Sequence, residues 1–190
     1  MQHLPTLLNY FNGSHLNEKQ LTEKFKEIAK AAIYGGYFRV NNDFDIHIVE
    51  VEFYFHSEDD SITSVHDWGR YHRGNDLPYF PVGSLHPHRS GVDVTFENEK
   101  EAYRASFLIR KYEIDGNVYD KPSFLGEDLI GYTGCILGDG PKIEWKNEET
   151  SEMKDYFIDE NTRINLSAYD EKGNLIKGEK DKRLWRFTKR

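Results

Sequence analysis

The hydrophobic pattern changes from a helical to an alternating period early in the chain. Over residues 17–34 apolar side chains recur every three to four positions, on one stripe of a helix: Leu21, Phe25, Ile28, Ala29 and Ala32. Ser14 or Asn17 can cap the start of this helix, and Gly35-Gly36 ends it. The pattern therefore predicts one amphipathic helix over residues 17–34.

After the glycines the pattern is typical of β-strands. Residues 37–40 and 44–55 are aromatic and β-branched runs separated by turn residues, which predicts a β-hairpin. Further strands are predicted at 91–96, 105–114, 163–168 and 183–187. One helix followed by strands with turn signals between them predicts an α+β fold.

The second strand of the hairpin contains a change of phase. Its apolar residues stand at even positions up to Ile48 and at odd positions after it, although alternate residues point to opposite faces of a strand. A regular strand would place Glu50, Glu52 and Tyr54 on the face that Ile48 buries. A bulge at residues 48–49 would return both glutamates to solvent, and the pattern alone favours this bulge. The first alternative matters chemically, because carboxylates held against aromatic surface are often acids or bases in catalysis.

Residues 57–90 lack periodicity and are rich in Gly, Pro, His and Asp. Five of the eight histidines lie in or next to this segment: His56, His66, His72, His86 and His88. A long segment of this kind in a compact domain is typical of a functional region. His86 and His88 could hold a divalent metal together with Glu52 or Asp93, but their spacing matches no metal-binding motif. We therefore expect no metal, and histidines with hydrogen-bonding roles are the simpler interpretation.

Composition limits the class of protein. The chain has 190 residues, of which 37% are hydrophobic and 14% aromatic, so we expect a single domain over residues 1–190. No apolar run approaches the roughly 20 residues of a membrane span, and residues 1–12 lack the pattern of a secretion signal. Cys135 is the only cysteine and can form no intrachain disulfide. The expectation is a cytoplasmic monomer without a cofactor.

The net charge of −8 is distributed unevenly. The basic C-terminal segment, residues 172–190, has eight Lys and Arg against two acids and carries +6, while the rest carries −14. DNA-binding proteins normally present a basic surface, so only this segment offers the cations for DNA, among them Lys182, Arg183 and Arg186. The alternative is a solvated basic end that offsets an acidic body, and charge alone favours it.

A series of short motifs spans nearly the whole chain in order. They are Tyr10-Phe11-Asn12, residues 36–40, the strand 48–54, His66, residues 73–75, 81–85, 108–110, 162–165 and 184–187. In this order they resemble the alkyladenine (3-methyladenine) DNA glycosylases, in which a strand ending in Val-Glu-Thr-Glu-Ala-Tyr carries the active site. The resemblance implies an N-terminal helix and a curved, mainly antiparallel sheet similar to an open barrel.

The resemblance also implies a hydrolytic site. Glu52 would be the general base that activates water, Tyr54 would stack on an extruded base, and His66 would be the histidine of the pocket. A carboxylate in this role also stabilises the positive charge that develops on the sugar as the N-glycosidic bond breaks.

Other positions match the family's substrate contacts less closely. His88 falls at a second stacking position and Arg110 at a pocket arginine. The position that filters the base falls near Glu97 and Asn98, where a glutamate would change selectivity or repel DNA.

The positions that grip duplex DNA depart further from the family. Ser90 stands where the family inserts a tyrosine wedge, and a serine cannot fill the gap left by an extruded nucleotide. Arg73 lies in a segment that replaces the family's Thr-Pro-Arg-Asn. Three hypotheses follow. The first is a base-excision N-glycosylase that acts on alkylated purines in DNA. The second is a hydrolase or binding protein that keeps the pocket for a nucleoside-sized or single-stranded ligand without duplex binding. The third is an inactive domain of the same fold.

Overall fold

The computed structural model describes residues 3–41, 43–61, 65–68, 78–133, 142–148 and 156–190, with backbone only for 128–133. Its helices are α1 (Leu4–Asn9), α2 (Glu18–Tyr34) and α3 (Pro122–Thr133). Its strands are β1 (Gly36–Val40), β2 (Phe44–Ser57), β3 (Leu85–His88), β4 (Gly91–Thr95), β5 (Tyr103–Ile114), β6 (Asn117–Tyr119), β7 (Ile143–Asn147), β8 (Ile158–Asn161), β9 (Ser167–Tyr169), β10 (Leu175–Lys180) and β11 (Arg186–Lys189).

The predicted helix is confirmed as α2. Asn17 caps its start, since the Asn17 side chain accepts from the Gln20 amide and the Gln20 side chain accepts from the Asn17 amide. The helix ends at Gly35, after which β1 begins at once. The capping residues in the sequence therefore set both ends of this helix.

The described strands pair antiparallel throughout. Nine of them form one curled sheet, a half-barrel, in the order β3-β4-β5-β2-β1-β7, with β11 beside β2, β8 beside β11 and β6 beside β5. The strands β9 and β10 form a separate hairpin. The predicted α+β class, the hairpin of β1 and β2, and the strands β4 and β5 are confirmed.

The phase change in β2 coincides with a change of neighbour. On one side β1 pairs with β2 as far as Ile46, and β11 pairs with it from Glu50 to Glu52. On the other side the register with β5 is irregular between Ile48 and Val51. The predicted irregularity is confirmed, but its predicted consequence is wrong, because Glu50 and Glu52 are 2% and 0% exposed. Arg186 of β11 pairs with Glu50, and the amide of Ile164, which follows β8, donates to Glu52.

The main core fills the face of β2 that carries Phe53. Phe25 of α2 stacks on Phe53 with ring centroids 4.6 Å apart, and Trp185 meets the Phe25 ring edge-on at 5.0 Å. The buried indole N–H of Trp185 donates to the Thr22 hydroxyl at 2.9 Å. This packing leaves the opposite face of β2 for polar side chains.

One of the predicted strands needs correction. The strand predicted at 163–168 is wrong over most of its length, since the only strand there is Ser167–Tyr169 and Arg163 is buried among charged side chains. Residues 158–161 form strand β8, and residues 149–155 lie outside the described ranges. No helix in the described part of the chain is both long and apolar enough to traverse a bilayer.

Candidate functional site

The Glu52 carboxylate is buried and hydrogen-bonded on both oxygens. Its Oε1 accepts from the Tyr54 hydroxyl at 2.5 Å, and its Oε2 accepts from Arg110 Nε at 3.2 Å and from the Ile164 amide at 2.9 Å. An ionised carboxylate has about four acceptor positions. Three described donors therefore leave room for about one more on Glu52.

Three separate parts of the chain supply these donors. Glu52 and Tyr54 share one face of β2, Arg110 lies on the adjacent strand β5, and Ile164 follows β8. The Arg110 side chain is 15% exposed and Ile164 is 39% exposed, so the surface is close to the buried carboxylate. The structure thus brings together Glu52, Tyr54 and Arg110, three of the residues that the resemblance placed in one pocket.

Glu50, two residues earlier on the same face, has a separate set of partners. Arg186 and Lys111 pair with its two oxygens at 3.1 Å each, and Thr188 donates at 2.8 Å. Burial alone raises the pKa of Glu50, but the hydrogen bonds from Thr188 and Lys111 and the charge of Arg186 outweigh it. The pKa therefore lies below its usual value.

Two arginines and two aspartates form a buried ion cluster beside Glu52. Arg163 donates to both oxygens of Asp67, at 2.5 and 3.0 Å, and to Asp181 at 2.8 Å. Arg183 also pairs with Asp181, at 2.6 Å, and with Asp67, at 3.3 Å. Burial raises the pKa of Asp181, but the hydrogen bond from Arg183 and the charge of Arg163 hold it below its usual value. The four charges balance, as a buried cluster requires.

A cleft of about 500 Å³ opens next to this ion cluster. It lies between the start of α2, residues 65–68 and the hairpin of β9 and β10. Its lining includes His66, Lys182 and Arg183, which were all predicted site residues. Among the described residues of its lining, five acids face three cations: Glu18, Asp170, Glu171, Glu179 and Asp181 against Lys180, Lys182 and Arg183. The volume suits a small molecule, and the charge disfavours a polyanion such as DNA.

His66 has a different environment from the one the resemblance implied. Its ring stacks on Trp68 with centroids 4.8 Å apart, Nδ1 lies 3.1 Å from the Ser57 carbonyl and Nε2 lies 2.6 Å from Asp60. The neighbouring His56 is buried and accepts from the Asp67 amide through Nδ1. Burial, followed by the charge of His66, lowers the pKa of His56 from 6.5 to about 4.

Two predicted residues lie at the hairpin of β3 and β4. His88 Nε2 lies 3.1 Å from the buried Asp93 carboxylate, and His88 Nδ1 accepts from the Ser90 amide. Ser90 itself is exposed in the turn. Within the described ranges no three His, Cys, Asp or Glu side chains are grouped closely enough to hold a metal.

Glu97 and Asn98 have structural partners. Glu97 is buried, pairs with Arg104 at 3.2 Å and accepts from the Phe80 amide at 2.9 Å. Asn98 closes a turn through its side-chain oxygen, which accepts from the amides of residues 100 and 101. Arg73 lies outside the described residues.

Some of the cations predicted to contact DNA are paired with carboxylates of the protein itself. Arg183 pairs with Asp181, and Arg186 pairs with Glu50 and donates to the Thr162 carbonyl. Lys182 is exposed at the cleft. Two of these three cations therefore neutralise buried carboxylates of the protein itself.

Arg163, Asp181 and the Ile164 amide were not predicted as site residues. Arg163 and Asp67 are 96 positions apart, and no local pattern indicates that they meet. The strong buried contacts of this cluster depend on the tertiary fold.

Comparison with known proteins adds no relative. No model of a protein family, no curated protein and no solved structure matches this chain.

Proposed function

We propose that this protein hydrolyses the N-glycosidic bond of an alkylated purine nucleoside or nucleotide, with Glu52 as the general base. One observation carries the proposal: Tyr54, Arg110 and the backbone at Ile164 meet at the Glu52 carboxylate. Each lies in a segment that resembles the alkyladenine DNA glycosylases, and 112 positions separate Glu52 from Ile164.

The donors around Glu52 suit the proposed chemistry. Arg110 and the Ile164 amide orient Oε2, so the remaining acceptor position of the carboxylate is available to a water molecule. As the C–N bond breaks, its electron pair leaves with the base, and the carboxylate stabilises the positive charge on the sugar. Water then adds to the anomeric carbon and gives its proton to Glu52.

The charges favour a small substrate over duplex DNA. Arg183 and Arg186 pair with the protein's own carboxylates, and the hairpin turn presents Ser90 in place of a large wedge. An alkylated purine is electron-poor and leaves readily, and an acidic body repels a phosphate backbone. We therefore place free nucleosides and single strands before duplexes as substrates.

Burial of Glu52 favours a second candidate, which is binding without hydrolysis. Glu52 is 0% exposed, and none of three cavities lined by described residues includes it. The cleft beside His66 and Lys182 is open and has the volume of a small-molecule site. In this candidate the ligand occupies the cleft, and Glu52 only holds β2, β5 and residue 164 together.

The test measures release of free base by chromatography from 7-methylguanosine, a methylated single strand and a methylated duplex. We expect release by the wild type and a loss of about 100-fold or more in Glu52→Gln, because a carboxamide cannot take up the proton. Glu50→Gln is the matched control, since it makes the same change two residues away on the same face of β2. It should keep activity within about threefold, because Glu50 contacts only structural partners among the described residues.

Each result separates the candidates. Equal activity of Glu52→Gln and the wild type overturns the proposed base. If no substrate releases base but 7-methylguanosine binds by calorimetry, the binding candidate replaces the hydrolase. Cleavage confined to the duplex, with binding that falls steeply as salt rises, restores the base-excision hypothesis.

A further inference from the structure

The buried Arg163 connects the ion cluster to the segment around Glu52. Its side chain is 0% exposed, and it lies immediately before Ile164, whose amide donates to Glu52. Arg163 Nη1 also donates to the carbonyl of Phe53, the residue between Glu52 and Tyr54, at 3.2 Å. One side chain thus contacts the strand that carries the carboxylate and belongs to the loop that donates to it.

The same guanidinium lies against the Tyr54 ring. Its central carbon is 5.4 Å from the centroid of Tyr54 and 5.2 Å from that of Trp185, so aromatic rings restrict its position on two sides. Asp67, which pairs with Arg163, also accepts from the Phe55 amide at 3.3 Å. The cluster therefore contacts β2 on both sides of Tyr54.

From these contacts we infer that Arg163 is a positioning residue for the Glu52 site, and this rests on the proposed function. It fixes the Ile164 amide against Oε2 and keeps the Tyr54 hydroxyl within reach of Oε1, without touching the substrate. Displacing a reacting group by about 1 Å can slow catalysis by about 100-fold. Loss of Arg163 should therefore lower kcat and leave KM nearly unchanged.

Arg104 supplies a matched control. It is also fully buried, pairs with Glu58 and Glu97, and lies on β5. It is six residues from Arg110, which corresponds to about 20 Å along the strand. Arg104→Met and Arg163→Met both remove a buried arginine from two carboxylates, but only the second removes contacts beside Glu52.

The experiment uses Arg163→Met, Arg163→Lys and Arg104→Met with two measurements. The first is kcat and KM on whichever methylated substrate the wild type cleaves. We expect kcat to fall about 100-fold in Arg163→Met with KM within about twofold, partial recovery in Arg163→Lys, and little change in Arg104→Met. A lysine keeps the charge but cannot reach both aspartates and the Phe53 carbonyl together.

The second measurement is hydrogen exchange of the Ile164 amide, which needs no substrate. Its exchange should accelerate about tenfold or more in Arg163→Met relative to Arg104→Met, after both are normalised to their free energies of unfolding. Equal exchange in the two methionine variants overturns the inference. If the wild type cleaves nothing, the proposed function fails, and the exchange result still decides whether Arg163 positions the residues at Glu52.

Discussion

The two faces of β2 are organised in different ways. Phe53 on one face contacts a continuous cluster of rings, with Phe25 at 4.6 Å and Phe107 at 5.4 Å between centroids. On the other face, Glu50 and Glu52 each depend on cations and donors from separate segments. Apolar contacts are non-directional, so rings in several arrangements can pack against the Phe53 face. Each buried carboxylate, in contrast, needs hydrogen-bond donors at defined positions.

Because of this difference, mutations on the two faces should lower stability in different ways. Loss of a ring leaves a cavity whose cost depends on the volume that neighbours can refill. Loss of a charge partner leaves a buried group unsatisfied, and the cost depends on pH because the group can change its protonation. Stability measurements at several pH values therefore distinguish the faces.

The largest expected effect is on the apolar face. Phe53→Ala should lower the free energy of unfolding by about 4 kcal/mol in denaturant titration, because Phe53 is fully buried among other rings. Tyr54→Phe is the control on the opposite face. It removes the hydroxyl bond to Glu52 and keeps the ring, so it should cost only about 1 kcal/mol. A larger loss in Tyr54→Phe than in Phe53→Ala would contradict this ranking of the faces.

The second effect is a pH dependence on the polar face. His56 has a folded pKa of about 4 against 6.5 in the unfolded chain, so between these values the unfolded state binds more protons. Stability should therefore fall by about 3 kcal/mol as pH decreases from 6.5 to 4. The lowered pKa values of Glu50 and Asp181 act at the acid end of this window and below it, because their stabilisation is lost as pH falls from the ordinary carboxyl pKa through the lowered one.

Thermal unfolding of His56→Gln across this window checks the assignment. The variant should show a flatter slope than the wild type, because Gln does not titrate. His47→Gln, which changes a side chain that is 37% exposed, should keep the wild-type slope. An unchanged slope in His56→Gln would show that other groups cause the pH dependence.

The smallest effect isolates one buried carboxylate. Glu50→Gln should cost about 2 kcal/mol at pH 7, because the amide keeps the shape but loses its charged bonds to Arg186 and Lys111. The difference in free energy of unfolding between the variant and the wild type should shrink as acid protonates Glu50. Denaturant titrations at pH 7 and in acid measure this difference. A cost that stays constant down to low pH would argue against an ionic contribution.

Local sequence signals were sufficient for part of the fold. Asn17 and Gly35 define both ends of α2, and the Asp43 amide donates to the Val40 carbonyl between β1 and β2, because these features depend on near neighbours. The six-residue α1, which buries Leu4 and Leu8, gave too short a pattern to be predicted. The strand expected at 163–168 failed because Arg163 binds carboxylates instead of facing solvent.

The candidate site was predictable only in part. The resemblance brought forward Glu52, Tyr54 and Arg110, which meet in the structure. It also placed His66 in the Glu52 pocket, whereas His66 stacks on Trp68 in the lining of the cleft. Period and spacing describe the face of a strand, but they carry no information on which distant loop covers it.

The replacement of β1 by β11 along β2 has a consequence for the order of folding. Glu50 and its partner Arg186 are 136 positions apart. Pairing β11 with β2 therefore closes a long loop, and this costs chain entropy. During synthesis, a nascent chain that has emerged only to residue 180 has Glu50–Glu52 as an unpaired edge. This stretch is therefore exposed to chaperones, or to mispairing with other strands, until β11 arrives.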